Sequence, residues 1–192
     1  MRDPKKHTTE DDQMCMAAIA TGNTRAFKAV MDAYMNDVFR YSYSLLGDAA
    51  RAEDTAQETF TRLWTHGRSW SPKGRLKSWL LKIAHNLSID EIRRNRGHVT
   101  IDDVGPVLVD GAASPRANLT RAESAAIIKK ALFTLPERQR AALMLVHYND
   151  RTNIEAAEIM DVSVDALESL LARGRRTLKG ALADEKTNLL DE

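Results

Sequence analysis

Helical spacing governs this sequence almost from end to end, with one long break. Apolar residues recur every three or four positions from about Asp12 to Ala183, while no alternating strand pattern runs longer than a few residues. The break is "HVTIDDVGPVLVDGAASPRAN", His98 to Asn118, where Gly, Pro, Ser and three Asp sustain no period. Such a chain is expected to be all-α: two small helical domains joined by a flexible, acidic linker. The 192 residues are enough for two small units. The boundaries read as a disordered N-terminus over 1–10, a first domain over 11–97, the linker over 98–118, a second domain over 119–183 and a fraying tail over 184–192.

Inside the first domain the spacing predicts four helices. A short one covers about Asp12 to Ala20 and stops at Gly22. The second carries Phe27, Val30, Met31, Tyr34, Val38, Tyr41, Leu45 and Leu46 on one stripe and closes at Gly47. A third spans Ala49 to His66, and a fourth begins near Arg75 after the broken stretch "GRSWSPKG". Four more follow the linker, at roughly Leu119–Phe133, Glu137–Tyr148, Asn153–Met160 and Val164–Ala183.

A formal net charge of +1 gives no overall field toward nucleic acid, so any such binding has to come from local patches. The single cysteine, Cys15, cannot form an internal disulfide and fits a reducing compartment. No apolar run is long enough for a membrane span, and "MRDPKKHTTEDD" lacks the apolar core of a signal peptide. A cytoplasmic protein is expected. The five histidines are scattered without ligand spacing, and there is no phosphate loop, nucleophile elbow or CxxC pair. Neither an enzyme nor a metal or other cofactor is expected.

"TNIEAAEIMDVSVDALESLLARGRRTL" has the arithmetic of a helix-turn-helix. Ile154, Ala157 and Ile159 face inward from its first helix. Asp161 stands at the tight turn, where Asp tolerates the left-handed conformation better than most residues, and Ser163 is placed to cap the second helix. Val164, Leu167, Leu171, Gly174 and Leu178 form that helix's buried stripe, which leaves Asp165, Ala166, Glu168, Ser169, Ala172, Arg173, Arg175 and Arg176 outward. Carboxylates near a helix start complement its dipole by about 0.3–1 kcal/mol each, which accounts for Asp165. Glu168 has a second use, since a carboxylate can accept a hydrogen bond from the N4 amino group of cytosine in the major groove.

In the first domain, "RAEDTAQETFTRLW" places Ala52, Ala56, Phe60, Leu63 and Trp64 on one face and Glu53, Asp54, Gln57, Glu58 and Thr61 on the other. The next helix combines Arg75, Lys77, Lys82, Arg93, Arg94 and Arg96 with Trp70 and Trp79 beside a Ser/Pro/Gly loop. Cations that follow phosphates, interleaved with aromatics, suit single-stranded nucleic acid. By its spacing with Leu80, Ile83 and Leu87, Trp79 belongs to the core rather than to a base-stacking surface.

Over most of its length the chain resembles the extracytoplasmic-function sigma factors, the small two-domain group of the sigma-70 family. "DAARAEDTAQETFTRLW" is similar to region 2.2, which docks on the clamp coiled coil of RNA polymerase's largest subunit. "SWLLKIAHNLSIDEIRRNRG" resembles regions 2.3 and 2.4, which open and read the −10 element. "LPERQRAALMLVHYND" and "VSVDALESLLARGRRTL" resemble region 4, which reads the −35 element. The resemblance implies polymerase docking through Glu53, Asp54, Gln57 and Glu58. It implies −10 contacts from Ser71, Lys73, Arg75, Lys82, Asn86, Arg93 and Arg94, with the Ser69–Gly74 loop capturing a flipped base. The −35 contacts would fall to Glu168, Ser169, Ala172, Arg173 and Arg176. The family usually has Gly at the position of Asp161, and a Thr, a Lys or Arg, and an Arg at the positions of Ala166, Glu168 and Leu170, so a different −35 code is expected.

The function implied is that of an alternative sigma factor. Its partners would be core polymerase, promoter DNA and an occluding anti-sigma factor, which could be membrane-anchored. Asp102, Asp103 and Asp110 of the linker could either imitate nucleic acid in the polymerase channel or serve as a solvated spacer. The acidic reading helix raises a rival: a sigma mimic that sequesters an anti-sigma factor without binding promoters. Such mimics resemble this family when joined to a phosphoacceptor domain, which this sequence does not contain, and a mimic needs no basic set in its first domain. An ordinary helix-turn-helix repressor leaves the docking helix and the basic helix together unexplained.

Overall fold

In the computed structural model, residues 9–67, 70, 75–94 and 126–188 are described, with side chains from residue 10 to residue 183. Ser71, Lys73, Arg96 and the linker lie outside these residues. Every described element is helical. Helix α1 runs over Thr9–Ala20, α2 over Thr24–Leu46, α3 over Ala49–His66 and α4 over Leu76–Arg94. A segment α5 is helical over 126–133. Then come α6, Glu137–Leu143, which continues through a π-helical turn at Met144–Tyr148, α7, Asn153–Met160, and α8, Val164–Asn188.

Local chemistry sets most of the boundaries. Asn23 accepts hydrogen bonds from the N–H groups of Arg25 and Ala26 to start α2, and Gly47, at φ 73°, closes it in the left-handed region. Asp48 then caps α3 by accepting from the N–H of Arg51 at 3.0 Å. Asp12, expected to begin α1, sits one turn inside it. Its buried carboxylate instead accepts from the N–H of Leu76 at 2.9 Å and so satisfies the start of α4. Thr152 and Glu155 form a reciprocal capping box on α7. The turn after α7 passes through Asp161 at φ 53°, and the Ser163 hydroxyl accepts from the N–H of Ala166 to start α8. That helix continues past its expected end at Ala183 to Asn188.

Helices α2, α3 and α4 pack on one another with α1 against α2, and α6, α7 and α8 form a second group. The two groups are in direct contact, α4 against α7 and α2 against α6, and one continuous apolar cluster runs through both. Sequence spacing does not announce this contact. It explains why Tyr41, Ser42, Tyr43, Ser44 and Leu45 are all buried in succession: one helix face meets α3 and α4, and the rest of the α2 terminus meets the second group. The Lys129 ammonium lies 5.1 Å from the centre of the Tyr43 ring. Phe133 lies so close to Gly47 that a Cβ there would meet the ring at 3.1 Å. Buried Arg140 donates to the carbonyl of Leu45 at 3.0 Å.

Three apolar residues depart from the expected stripes. Trp64 is 41% exposed, because it lies edge-on against Phe27, with ring centroids 5.2 Å apart, at the rim of the α2–α3 contact. Ile154 is 62% exposed and Val164 37%. Both stand in the first turn of their helices, where the neighbouring helix does not reach over them. Ala157, Ile159, Leu167 and Leu171 are buried as expected, and Gly174 presses against Leu143. Trp79 packs against the core, as its spacing predicts.

Candidate polymerase-docking and nucleic-acid faces

Along α3, Glu53, Asp54, Gln57 and Glu58 are all exposed, because Ala52, Thr55, Ala56, Thr59, Phe60 and Leu63 take the buried side. Glu58 holds Arg62 one turn on at 2.8 Å, a surface pair of small energetic weight. Gln57 also borders an open apolar cleft of about 530 Å³ between α2 and α3, floored by Phe27, Met31, Met35, Phe60 and Trp64. The acidic face and the cleft are thus one continuous surface, which the sequence pattern separated into a polar and an apolar side.

Arg75, Lys82 and Asn86 are exposed, and their spacing of seven and four residues places them on one strip of α4. Arg93 and Arg94 continue the positive charge at its C-terminus, with side chains 68% and 73% exposed. They are only loosely paired with Asp90 at 4.0 Å and Glu91 at 3.8 Å. Lys77 is not part of this face, because it turns onto α2 and pairs with Asp37 at 2.7 Å. The opposite side of α4 is interior. There His85 is held by the Tyr41 hydroxyl at 2.8 Å, and burial, with the nearby Arg138 cation, pushes its pKa down to about 4. Burial likewise pushes the Tyr41 phenol well above its ordinary range, so the pair is neutral.

On α8, Glu168, Ser169, Ala172, Arg173 and Arg176 are all exposed, and their spacing makes a single stripe along the helix. Arg173 also folds back, its Nε donating to the carbonyl of Ser169 at 3.3 Å. Glu168 lies beyond the first turn of α8, outside the range of the helix-dipole effect. One of its oxygens accepts a hydrogen bond from the Asn153 amide at 3.2 Å. Asn153 was not identified from the sequence, since an Asn at a helix start reads as capping; only its place in the three-dimensional turn shows that it reaches the outward face of α8.

Among the described residues there is no cluster of His, Cys, Asp and Glu suited to a metal ion. No helix among them is long and apolar enough to cross a membrane.

Comparison with known proteins agrees with this arrangement. Residues 30–98 match the family model of Sigma-70 region 2, and residues 125–178 match that of Sigma-70, region 4. The chain is 34% identical over 148 residues to the ECF RNA polymerase sigma factor SigM of Bacillus subtilis (strain 168), covering 76% of this chain and 88% of that one. It is 31% identical over 176 residues to the ECF sigma factor SigC of Mycobacterium tuberculosis, covering 89% and 92%. The fold is shared with the sigma factor RpoE of Bartonella quintana, solved with the anti-sigma factor NepR (TM-score 0.67, 23% identity, 82% of this chain and 96% of that one). It is shared also with CnrH, solved with the cytosolic domain of CnrY (TM-score 0.66, 23% identity, 90% and 97%). The chain belongs to the extracytoplasmic-function sigma factors of the sigma-70 family.

Proposed function

We propose that the protein works as an alternative sigma factor through three separate exposed faces: the acidic face of α3, the basic strip of α4 and the outward stripe of α8. The observation that carries this reading is that all three lie on the surface at once while the helices that bear them share one core. Glu53, Asp54, Gln57 and Glu58, together with the neighbouring apolar cleft, dock on core polymerase. Arg75, Lys82, Asn86, Arg93 and Arg94 hold the −10 element, with Ser71 and Lys73 beside the flipped base. Glu168, Ser169, Ala172, Arg173 and Arg176 meet the −35 element in the major groove. The contribution is binding; the nucleotide chemistry belongs to polymerase.

The domain limits that follow are a region 2 unit over 11–97 and a region 4 unit over 119–183. The protein acts in the cytoplasm, and an anti-sigma factor that covers the docking face keeps it from polymerase. One structural neighbour, RpoE of Bartonella quintana, is described in complex with an anti-sigma factor, which supports that regulation. The mimic alternative draws on the carboxylates of α8. It weakens because Glu168 is already held by Asn153, an arrangement suited to presenting a fixed acceptor.

Exchanging Asp54 and Glu58 for Lys tests the docking face. Both side chains are exposed, so the double variant should keep its helical content and melting temperature yet lose co-elution with core polymerase. Undiminished co-elution would remove α3 from the interface.

A further inference from the structure

We infer that Asp12 of α1 is a positioning residue for promoter recognition: it reaches across to α4 and fixes the peptide from which Arg75 is presented to the −10 element. The inference rests on the assignment of the −10 element to α4.

Helix α4 starts without a cap of its own. Arg75 stands just before its first turn, and the Arg75 carbonyl accepts from the N–H of Trp79 at 3.2 Å. A Ser, Thr, Asn or Asp in that place would accept from the first N–H groups of the helix, but a guanidinium has no acceptor. The N–H of Leu76 is thus one of the orphan donors of a helix start. Leu76 is fully buried, so solvent does not satisfy it, and a buried donor without an acceptor is costly. Asp12, 64 residues earlier, supplies the acceptor at 2.9 Å. Asp12 is itself buried, and the helix that carries it packs on α2, so the acceptor is anchored in the core of the first helical group. Its carboxylate also suits the positive end of the α4 dipole.

The N–H of Leu76 and the Cα of Arg75 belong to one planar peptide unit. Holding that N–H sets the plane, and with it the direction in which the exposed Arg75 side chain leaves the backbone. The same helix also supports the end of α3. A Cβ on Gly67 would meet Met16 at 3.3 Å and Ile19 at 3.7 Å, so α1 lies against Gly67 as well as Leu76. Asp12, Met16 and Ile19 are spaced by four and three residues, which puts them on one face of α1. One face of α1 therefore meets the chain both where it leaves α3 and where it enters α4. Recognition contacts have to be held within about 0.5 Å of their productive place by the residues behind them. Lys82 and Asn86 take their places from the packed middle of α4, whereas Arg75 stands at its edge and depends on Asp12.

A double-mutant cycle in the full-length chain tests this, read as half-saturation of promoter binding with core polymerase in excess. Asp12→Ala should weaken promoter binding on the order of tenfold, as should Arg75→Ala. The double variant should bind no more weakly than Arg75→Ala alone, because both changes remove one and the same contact. Asp12→Asn, whose amide oxygen can take the same hydrogen bond, should stay close to wild type. Combined with Arg93→Ala, at the far end of α4, Asp12→Ala should be additive. Affinity for core polymerase should be unchanged throughout. Additive losses in the Asp12–Arg75 cycle, or wild-type promoter binding by Asp12→Ala, would overturn the inference and leave Asp12 a residue of stability alone. If Asp12→Ala does not fold, by circular dichroism, the same outcomes are read with Asp12→Ser, whose oxygen stands one bond short of the Leu76 N–H. Wild-type binding by Arg75→Ala would instead overturn the assignment of this end of α4 to the −10 element, and the positioning role with it.

Discussion

The side-chain amide of Asn153, at the start of α7, donates to the carboxylate of Glu168 on α8 at 3.2 Å. The bond joins the two helices of the helix-turn-helix on their exposed side. Glu168 is exposed, and its other carboxylate oxygen is a further hydrogen-bond acceptor. If that oxygen accepts from a cytosine N4 amino group, Glu168→Lys removes discrimination of roughly 1–3 kcal/mol at one base pair while adding phosphate attraction. A −35 library selected with wild type, Glu168→Lys and Asn153→Ala should show both variants changed at that same position, Asn153→Ala more weakly. Unchanged preferences with tighter binding by Glu168→Lys would make the carboxylate a structural group only.

Arg93 is 68% exposed and loosely paired, which marks it for phosphate rather than base contact. Arg93→Ala should weaken all promoters alike and flatten the log–log salt dependence by about one unit. Binding titrations on several promoters at a series of salt concentrations would check this, and a loss confined to some sequences would assign Arg93 to base readout.

His85 gives a pH dependence with a definite sign. Its pKa lies near 4 in the folded chain, below the ~6.5 of an exposed imidazole, so the unfolded state takes up the proton first. Stability from keeping His85 neutral is complete above about pH 6.5 and is lost as pH falls toward 4, by up to about 3 kcal/mol. The groups facing it are Tyr41 from α2 and Arg138 from α6; neither accepts the added charge. Denaturant melts of wild type and His85→Gln between pH 7 and pH 4.5 should show a slope that the substitution flattens. Equal slopes would place the acid sensitivity elsewhere.

Helix positions were legible because burial repeats with the helical period and because stop and cap residues are local: Gly47, Asp161 and Ser163 do what their residue types predict. The exposed faces were legible for the same reason, since what is not in a stripe points outward. Contacts between distant segments were not. Nothing local about Ser78, Arg140 or Arg151 says that they join the two helical groups, and Lys77 looks like any other cation of the α4 strip until Asp37 is placed beside it. Asn153 reads as a capping residue, whereas Thr152 is the cap and Asn153 is freed to reach Glu168. The capping box itself could have been read from "TNIE", since Thr followed three residues later by Glu is its signature.

The central claim is that this chain directs core polymerase to promoters through both α4 and α8. The most direct measurement is run-off transcription from a pool of genomic fragments with purified core polymerase, with and without the protein, followed by mapping of the 5′ ends. The account predicts discrete starts that depend on the protein, share two upstream sequence elements, and vanish when Asp54 and Glu58 are exchanged for Lys. Transcripts unchanged by the protein, in a preparation that still binds core polymerase, would contradict it.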